Sequence, residues 1–303
     1  MTNRQPTTDN RQLTDGLLII DKPADWTSHD VVAKVRKLCR TKRVGHTGTL
    51  DPFATGVLVI CLNRATRLVQ FLTGADKDYL ATMRFGFATD TGDLTGTPLA
   101  PQTSTAHLTD ALIENALAPF RGRITQIPPM YSAKKIGGVK LYEMARRGEE
   151  IERPPIAVEI THLTLVAPLH NDECTMRVMC SSGTYIRTLA EDIGKQLGLG
   201  AHLTSLRRMR VGTCDLSRAL TLEQLAALAD DFPTVVQPMA DALALPEVQL
   251  SAGEREMIAH GRAIQAASQW PNEQQIKLLR DRELIAIAVY NPATNSLQPR
   301  VVF

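Results

Sequence analysis

A carboxylate at position 51 is the first side chain in this sequence placed where chemistry would need it. Asp51 precedes Pro52 in a loop punctuated by Gly45, Gly48 and Gly56, GHTGTLDPFATG (45–56), which runs into the apolar segment VLVICL (57–62). Functional groups concentrate on loops held by rigid elements, and a carboxylate so placed can act as nucleophile or general base. Asp-Pro also initiates turns, so local sequence leaves a purely structural role open. Arg187 is the second unusual residue, at the head of TYIRTLAEDIGKQLG (184–198). A cation in a first helical turn opposes the macrodipole, so this arginine calls for a carboxylate or phosphate elsewhere, or for a salt bridge at the surface. Were the partner Asp51, the guanidinium would hold that carboxylate ionised and lower its pKa.

Two of the five tyrosines stand near these positions, Tyr79 and Tyr185. Both suit core packing, and either ring can instead carry a base by stacking, as exposed aromatics of RNA readers do. His46 shares the loop with Asp51. It reads as a loop histidine bonded to backbone or as a wedge against a base or phosphate.

The elements that must position these groups are legible from pattern. GLLIID (16–21), closed by Lys22-Pro23, predicts a buried strand. Thr27 or Ser28 caps a helix that carries Val31, Val32, Val35 and Leu38 on one side. A strand is expected at 78–86 and a loop at 89–98. Thr109 opens a helix stopped by Pro119. Pro128-Pro129 and Pro154-Pro155 bracket a basic, hinged insertion with Gly137-Gly138 inside it and a short helix near Leu141. Strands follow near 156–166 and 173–181. Ile186, Leu189, Ala190, Ile193 and Leu197 then form the clearest helical stripe, ending at Gly198. Another strand is expected at 201–211, and Thr221 with Gln224 forms a capping box. Strands and helices alternate irregularly, which argues for an α/β or α+β sheet with antiparallel pairs. Beyond a boundary near 245, a capping box at Ser251 and Glu254 and strands at 283–290 and 299–303 suit a small β-barrel module.

Composition narrows the class. With 303 residues, 44% hydrophobic and 22% charged, the chain matches a folded protein of one large domain plus a smaller one. The polar first fifteen residues read as a disordered lead-in without a signal-peptide core, and no apolar run reaches spanning length. Five scattered cysteines suit reduced thiols in the cytoplasm. No Cys/His cluster, phosphate loop or acidic metal cluster is present, so neither metal nor cofactor is expected. The net charge of +2 hides three basic clusters. One lies at 34–43, one at 121–147 including Lys134, Lys135 and Lys140, and one at Arg207, Arg208 and Arg210. Separately each suits a solvated surface; together they favour nucleic acid.

The runs GLLIIDKPADWTSHDVV and RVGHTGTLDPFATGVLVICL, KDY at 77–79, GTYIRTLAEDIG at 183–194 and LRR at 206–208 together resemble the bacterial tRNA pseudouridine-55 synthases of the TruB family. The match covers most of residues 16–212 in order. The resemblance implies a pseudouridine synthase fold over residues 16–245, with a mixed, mainly antiparallel sheet flanked by helices and a mobile basic arm at about 127–155. Residues 246–303 are similar to a PUA domain, a small RNA-binding barrel. By the same resemblance Asp51 is the catalytic aspartate and Arg187 its ion-pair partner. Tyr79 stacks on the target base, His46 sits beside flipped-out nucleotides, and Tyr185 and Leu206 line the uridine pocket. Lys134, Lys135, Lys140, Arg207 and Arg208 are then expected to contact RNA. The implied substrate is tRNA, through its T-loop and T-stem and, by the C-terminal module, its acceptor end. The enzyme would be a cytoplasmic monomer without metal, cofactor or membrane contact. The rival readings are a relative acting on another RNA, and a non-catalytic tRNA-binding or tRNA-folding module in which Asp51 only shapes a turn.

Overall fold

The computed structural model of the chain describes residues 14–303 except 133, 146 and 150, and of residues 135, 136 and 140 the backbone alone. Positions 1–13 of the lead-in lie outside the described residues. Thr14 and Asp15 belong to the folded chain rather than to a disordered tail: the Thr14 carbonyl accepts from Asn63 at 2.7 Å, and Asp15 pairs with Arg64 at 2.6 Å.

Strand β1 (Gly16–Lys22) leads to α1 (Ser28–Leu38), β2 (Val44–His46) and β3 (Thr55–Leu62). The short α2 (Val69–Leu72), β4 (Lys77–Phe85), α3 (Asp110–Leu117) and β5 (Gly122–Gln126) follow. The basic insertion holds a strand pair, β6 (Lys135–Ile136) and β7 (Val139–Lys140), and then α4 (Leu141–Ala145). Gly137 and Gly138 make its turn with φ of 59° and 84°, the doubly positive geometry that a two-residue hairpin favours. Next come β8 (Ile156–His170), β9 (Glu173–Cys180), α5 (Ile186–Gln196), β10 (Ala201–Val211), β11 (Cys214–Asp215) and α6 (Leu222–Ala227).

Nine of these strands form one sheet of order β1-β3-β10-β4-β9-β8-β5, with β2 added to β3 and β11 to β10. All pairings are antiparallel except β10 with β3, which makes the sheet mixed but mainly antiparallel, as expected. The apolar runs of β1 and β3 are continuous because both their faces are buried. Leu18, Ile20, Leu58, Ile60 and Leu62 pack under α1 and α6. Leu17, Ile19, Val57, Val59 and Cys61 face the other way, toward Ala65, Leu68 and the C-terminal Leu279, Leu284 and Ile287. Each such aliphatic side chain contributes roughly 1.5–3 kcal/mol on burial. Farther along the sheet, α3 and α5 cover Ala81, Met83, Met176 and Val178 through Ile113, Leu117, Leu189 and Ile193.

Past Pro246 a second sheet forms from β12 (Glu247–Gln249), β13 (Ile264–Gln265), β14 (Gln275–Arg280), β15 (Glu283–Asn291) and β16 (Ser296–Val302), in the order β12-β14-β15-β16-β13, with α7 (Ala252–Ala259) packed on it. It is docked on the first sheet rather than tethered. Beyond the shared apolar contacts, Lys277 donates to the Ala240 carbonyl at 3.0 Å, and Arg67 lies over the Phe303 ring at 5.9 Å. No helix among the described residues is long and apolar enough to cross a membrane. All five cysteines are buried and unpaired, and burial pushes the Cys61 thiol up to about 12.

Candidate active site

The loop at 47–54 is held from three directions and by a turn of its own. From α1, capped by Thr27 in a box with Asp30, the Ser28 hydroxyl accepts from Leu50 N at 2.9 Å and donates to its carbonyl at 3.2 Å. From the end of β1, buried Lys22 donates to the carbonyls of Pro52 (3.0 Å), Pro23 (2.8 Å) and Trp26 (2.7 Å). Burial draws this ammonium down to about 8, with the Asp51 charge opposing the shift. From β10, Arg208 donates to Val57 O at 2.7 Å and Gly48 O at 3.0 Å. Inside the loop, Ala54 N closes a turn on Asp51 O at 3.1 Å. Gly56, with φ of 98°, lets β3 lie against β10, since a Cβ there would stand 2.2 Å from the Arg208 carbonyl oxygen.

This frame presents Asp51 to Arg187. Nε of the guanidinium lies 2.9 Å from Oδ2, and Nη2 lies 3.2 Å from Oδ1. Arg187 sits in the first turn of α5 and is only 5% exposed, so its charge is answered inside the protein rather than by solvent. Its remaining donors reach Thr91 O at 2.8 Å and Tyr131 O at 2.6 Å, and Asp93 stands 3.8 Å away. Asp93 is fixed in turn by Thr95 N (2.9 Å) and the hydroxyls of Thr91 (2.9 Å) and Thr95 (2.6 Å). The pairing of Asp51 with Arg187 follows the sequence expectation, but the expected lowering of the Asp51 pKa does not. Burial pushes this carboxyl above its ordinary value, Asp93 adds to the rise, and Arg187 opposes it.

Two cavities meet at this pair. One of about 550 Å³ is lined by Asp51, Tyr79, Tyr185, Leu206, Lys134 and Ser132 among others. The second, of about 720 Å³, lies on the side of His29, Thr91, Asp93 and Tyr142 and also opens on Asp51 and Arg187. Tyr79 stands opposite Arg208 in the β4–β10 register, and burial raises its phenol above the ordinary range. Tyr185 caps α5 and is clamped by Gln126, which accepts from its N–H at 3.0 Å and donates to its carbonyl at 3.2 Å. The His46 ring accepts from Gly48 N at 3.3 Å and meets His29 edge-on at 5.7 Å. Burial, then the charges of His29 and Arg208, lower its pKa, so the ring is neutral at physiological pH.

Two arginines of the third basic cluster make contacts within the fold. Arg208 is 2% exposed and ties the 47–54 loop to β10 through the Val57 and Gly48 carbonyls, while it also lines the first cavity. Arg207 is half-buried and bridges Asp21 at 2.6 Å and Thr55 at 3.2 Å. Lys134 lines the first cavity, whereas the side chains of Lys135 and Lys140 lie outside the described residues. The sequence reading missed Asp93, taken only as part of a loop, as well as Ser28, Gln126 and the loop-bracing role of Lys22. Among the described residues no group of three or more His, Cys, Asp or Glu side chains gathers as a metal site would require.

Comparison with known proteins converges on one class. Residues 36–186 match the N-terminal domain of the TruB family pseudouridylate synthases, and residues 187–244 match the tRNA pseudouridylate synthase B C-terminal domain. The chain is similar to the tRNA pseudouridine synthase B of Solibacter usitatus, 44% identical over 90% of this chain and 94% of that one. It is likewise similar to that of Thermobifida fusca, 42% identical over 96% and 99%. In three dimensions it superposes on a chain from a solved Cbf5-Nop10-Gar1 complex with a TM-score of 0.74 at 26% identity, covering 95% of this chain and 85% of the other. The fold is that of a pseudouridine synthase. Within that class, the chain belongs to the TruB family.

Proposed function

We propose that this protein isomerises the T-loop uridine at position 55 of tRNA to pseudouridine in the cytoplasm, as a monomer and with its own side chains only. The observation that carries the reading is the Asp51–Arg187 pair at the wall of a nucleotide-sized cavity bordered by Tyr79, Tyr185 and Leu206. The reaction breaks N1–C1′, turns the base and forms C5–C1′, while the proton on C5 is lost and N1 gains one. No electrons change hands, so no redox partner is needed. An ionised carboxylate at C1′ serves by attacking the sugar carbon or by taking a sugar proton. Arg187 fixes both carboxylate oxygens before substrate arrives.

To reach Asp51 the uridine leaves its stack at a cost of a few kcal/mol, which stacking on Tyr79 and filling of the gap by neutral His46 offset in part. Residues 16–245 supply the catalytic domain. The arm at 127–155, through Lys134, Lys135 and Lys140, grips T-loop phosphates, and the sheet of residues 246–303 serves as a PUA-like contact toward the acceptor end. The buried, unpaired thiols fit a reducing compartment. The test is conversion of an unmodified tRNA transcript, with the product mapped by position. Pseudouridine at 55, and none when that uridine is replaced by cytidine, supports the proposal; modification elsewhere, or none, overturns it.

A further inference from the structure

Helix α1 is bolted to the catalytic loop at one end only. Ser28, its first residue, bonds Leu50. The other end lies ten residues on, about 15 Å away at the helical rise. There Lys34, Arg36, Lys37, Arg40, Lys42 and Arg43 are all exposed, with no acidic residue between positions 31 and 50. Arg36, Lys37, Arg40 and Lys42 line a concavity of about 520 Å³ together with Ala33 and Thr41.

The fold accounts for part of this charge. Arg36 donates to the Val44 carbonyl at 3.1 Å, and cations in a last turn offset the negative end of the helix dipole. Facing acids are few: Glu223 lies near Lys34, and Asp230 pairs with Arg40 at 3.3 Å with side chains 65% and 64% exposed, a setting in which an ion pair is worth little. Lys37, Lys42 and Arg43 make no ion pair among the described residues. The remaining like charges repel one another, and these contacts account for only part of the cluster.

Arg40 gives a second, independent sign. The helix ends with Thr41 N bonded to Arg36 O at 3.2 Å, which leaves Arg40 at the position after the C-cap with φ of 49°. Glycine is favoured there because a β-carbon is crowded in the left-handed region. An arginine at this site sets its side chain against the preference of its own backbone. Among the described residues the only apolar one lining the concavity is Ala33, with no aromatic or large aliphatic anchor of the kind a protein interface uses. Flexible point charges spread over a helix end and the following turn suit a sugar-phosphate backbone.

We infer that this concavity is a second phosphate-binding region, which holds substrate RNA outside the loop that enters the active site. The inference rests on the tRNA reading above. Its test compares a full-length unmodified tRNA transcript with an isolated T-arm stem-loop, using the wild type, Arg40→Gly, and Arg40→Gly combined with Lys37→Ala and Lys42→Ala. Affinity is measured across a salt series and melting temperature alongside. The triple variant is expected to bind the full transcript roughly tenfold more weakly, with a log–log salt slope shallower by about two to three, and to bind the stem-loop within about twofold of wild type. Arg40→Gly alone keeps or raises the melting temperature, because the left-handed position then suits its residue. Equal losses on both RNAs, no loss on either, or a lower melting temperature for Arg40→Gly would each overturn the inference. Conversion of the two RNAs by the wild type is scored separately: if neither is converted the tRNA reading fails, while the binding comparison still decides the concavity.

Discussion

Arg187 donates to the Tyr131 carbonyl at 2.6 Å with the same nitrogen, Nη2, that reaches Asp51 Oδ1 at 3.2 Å. Tyr131 lies in the basic arm, so one guanidinium fixes both the carboxylate proposed to be catalytic and the base of the segment proposed to grip RNA. A lysine has the charge but not the planar fork for four acceptors on three segments. Arg187→Lys is therefore expected to lower the single-turnover rate by about a hundredfold or more, since positioning and electrostatic alignment both suffer. Single-turnover kinetics at saturating tRNA, with binding measured in parallel, check this. A rate within a few-fold of wild type would show that charge alone suffices.

The raised pKa of Asp51 sets the acid side of the pH profile. Either route needs the carboxylate ionised, so the rate falls as pH drops through a midpoint above the ordinary aspartate range of about 4. Asp93 pushes this pKa up, so Asp93→Asn is expected to move the midpoint down while it lowers the rate by loosening Arg187. For stability, an acid whose folded pKa exceeds its unfolded value stabilises the fold while protonated, and that contribution is lost as pH rises through the folded pKa. Asp51→Asn should then melt no lower than wild type at neutral pH. A midpoint below the ordinary range, or one that rises in Asp93→Asn, would contradict this.

Arg208 separates a structural arginine from an RNA contact. Replacing it with leucine leaves the carbonyls of Val57 and Gly48 without their donor in a buried site, at about 1–3 kcal/mol for each unsatisfied group. Thermal melts should shift down by several degrees, and turnover should fall at temperatures where the variant is still folded. The salt slope of tRNA binding should not move. A flatter slope with an unchanged melting temperature would restore the RNA role.

The arm lysines are expected to behave in the opposite way. Replacing Lys134, Lys135 and Lys140 together with alanine should weaken tRNA binding and flatten the log–log salt slope by about two to three, with little change in thermal stability. An unchanged slope removes these residues from the interface.

Most of the fold was legible because periodicity and caps are local signals. The stripe of Ile186, Leu189, Ala190 and Ile193, the boxes at Thr221 and Ser251 and the alternation of Cys174, Met176 and Val178 all became the expected helices and strand. The helix dipole left the partner of Arg187 open between a carboxylate, a phosphate and a surface ion pair, and the resemblance to the TruB family pointed to Asp51, which the geometry bears out. Asp93 was not legible, because what draws it to Arg187 is closure of the loop at 89–98 over α5, a tertiary event. The same limit hid the burial of Arg208. Three arginines in a row of five look like a surface cluster, but strand alternation and the parallel neighbour β3 turn one of them inward.

The most direct measurement is single-turnover formation of pseudouridine at the T-loop uridine of an unmodified tRNA transcript, by wild type and by Asp51→Asn, with tRNA affinity and melting temperature recorded for both. Conversion by the wild type is expected, with none by the variant, while binding and melting stay intact. Conversion by Asp51→Asn at a comparable rate would take the chemistry away from the carboxylate that this site is built to hold.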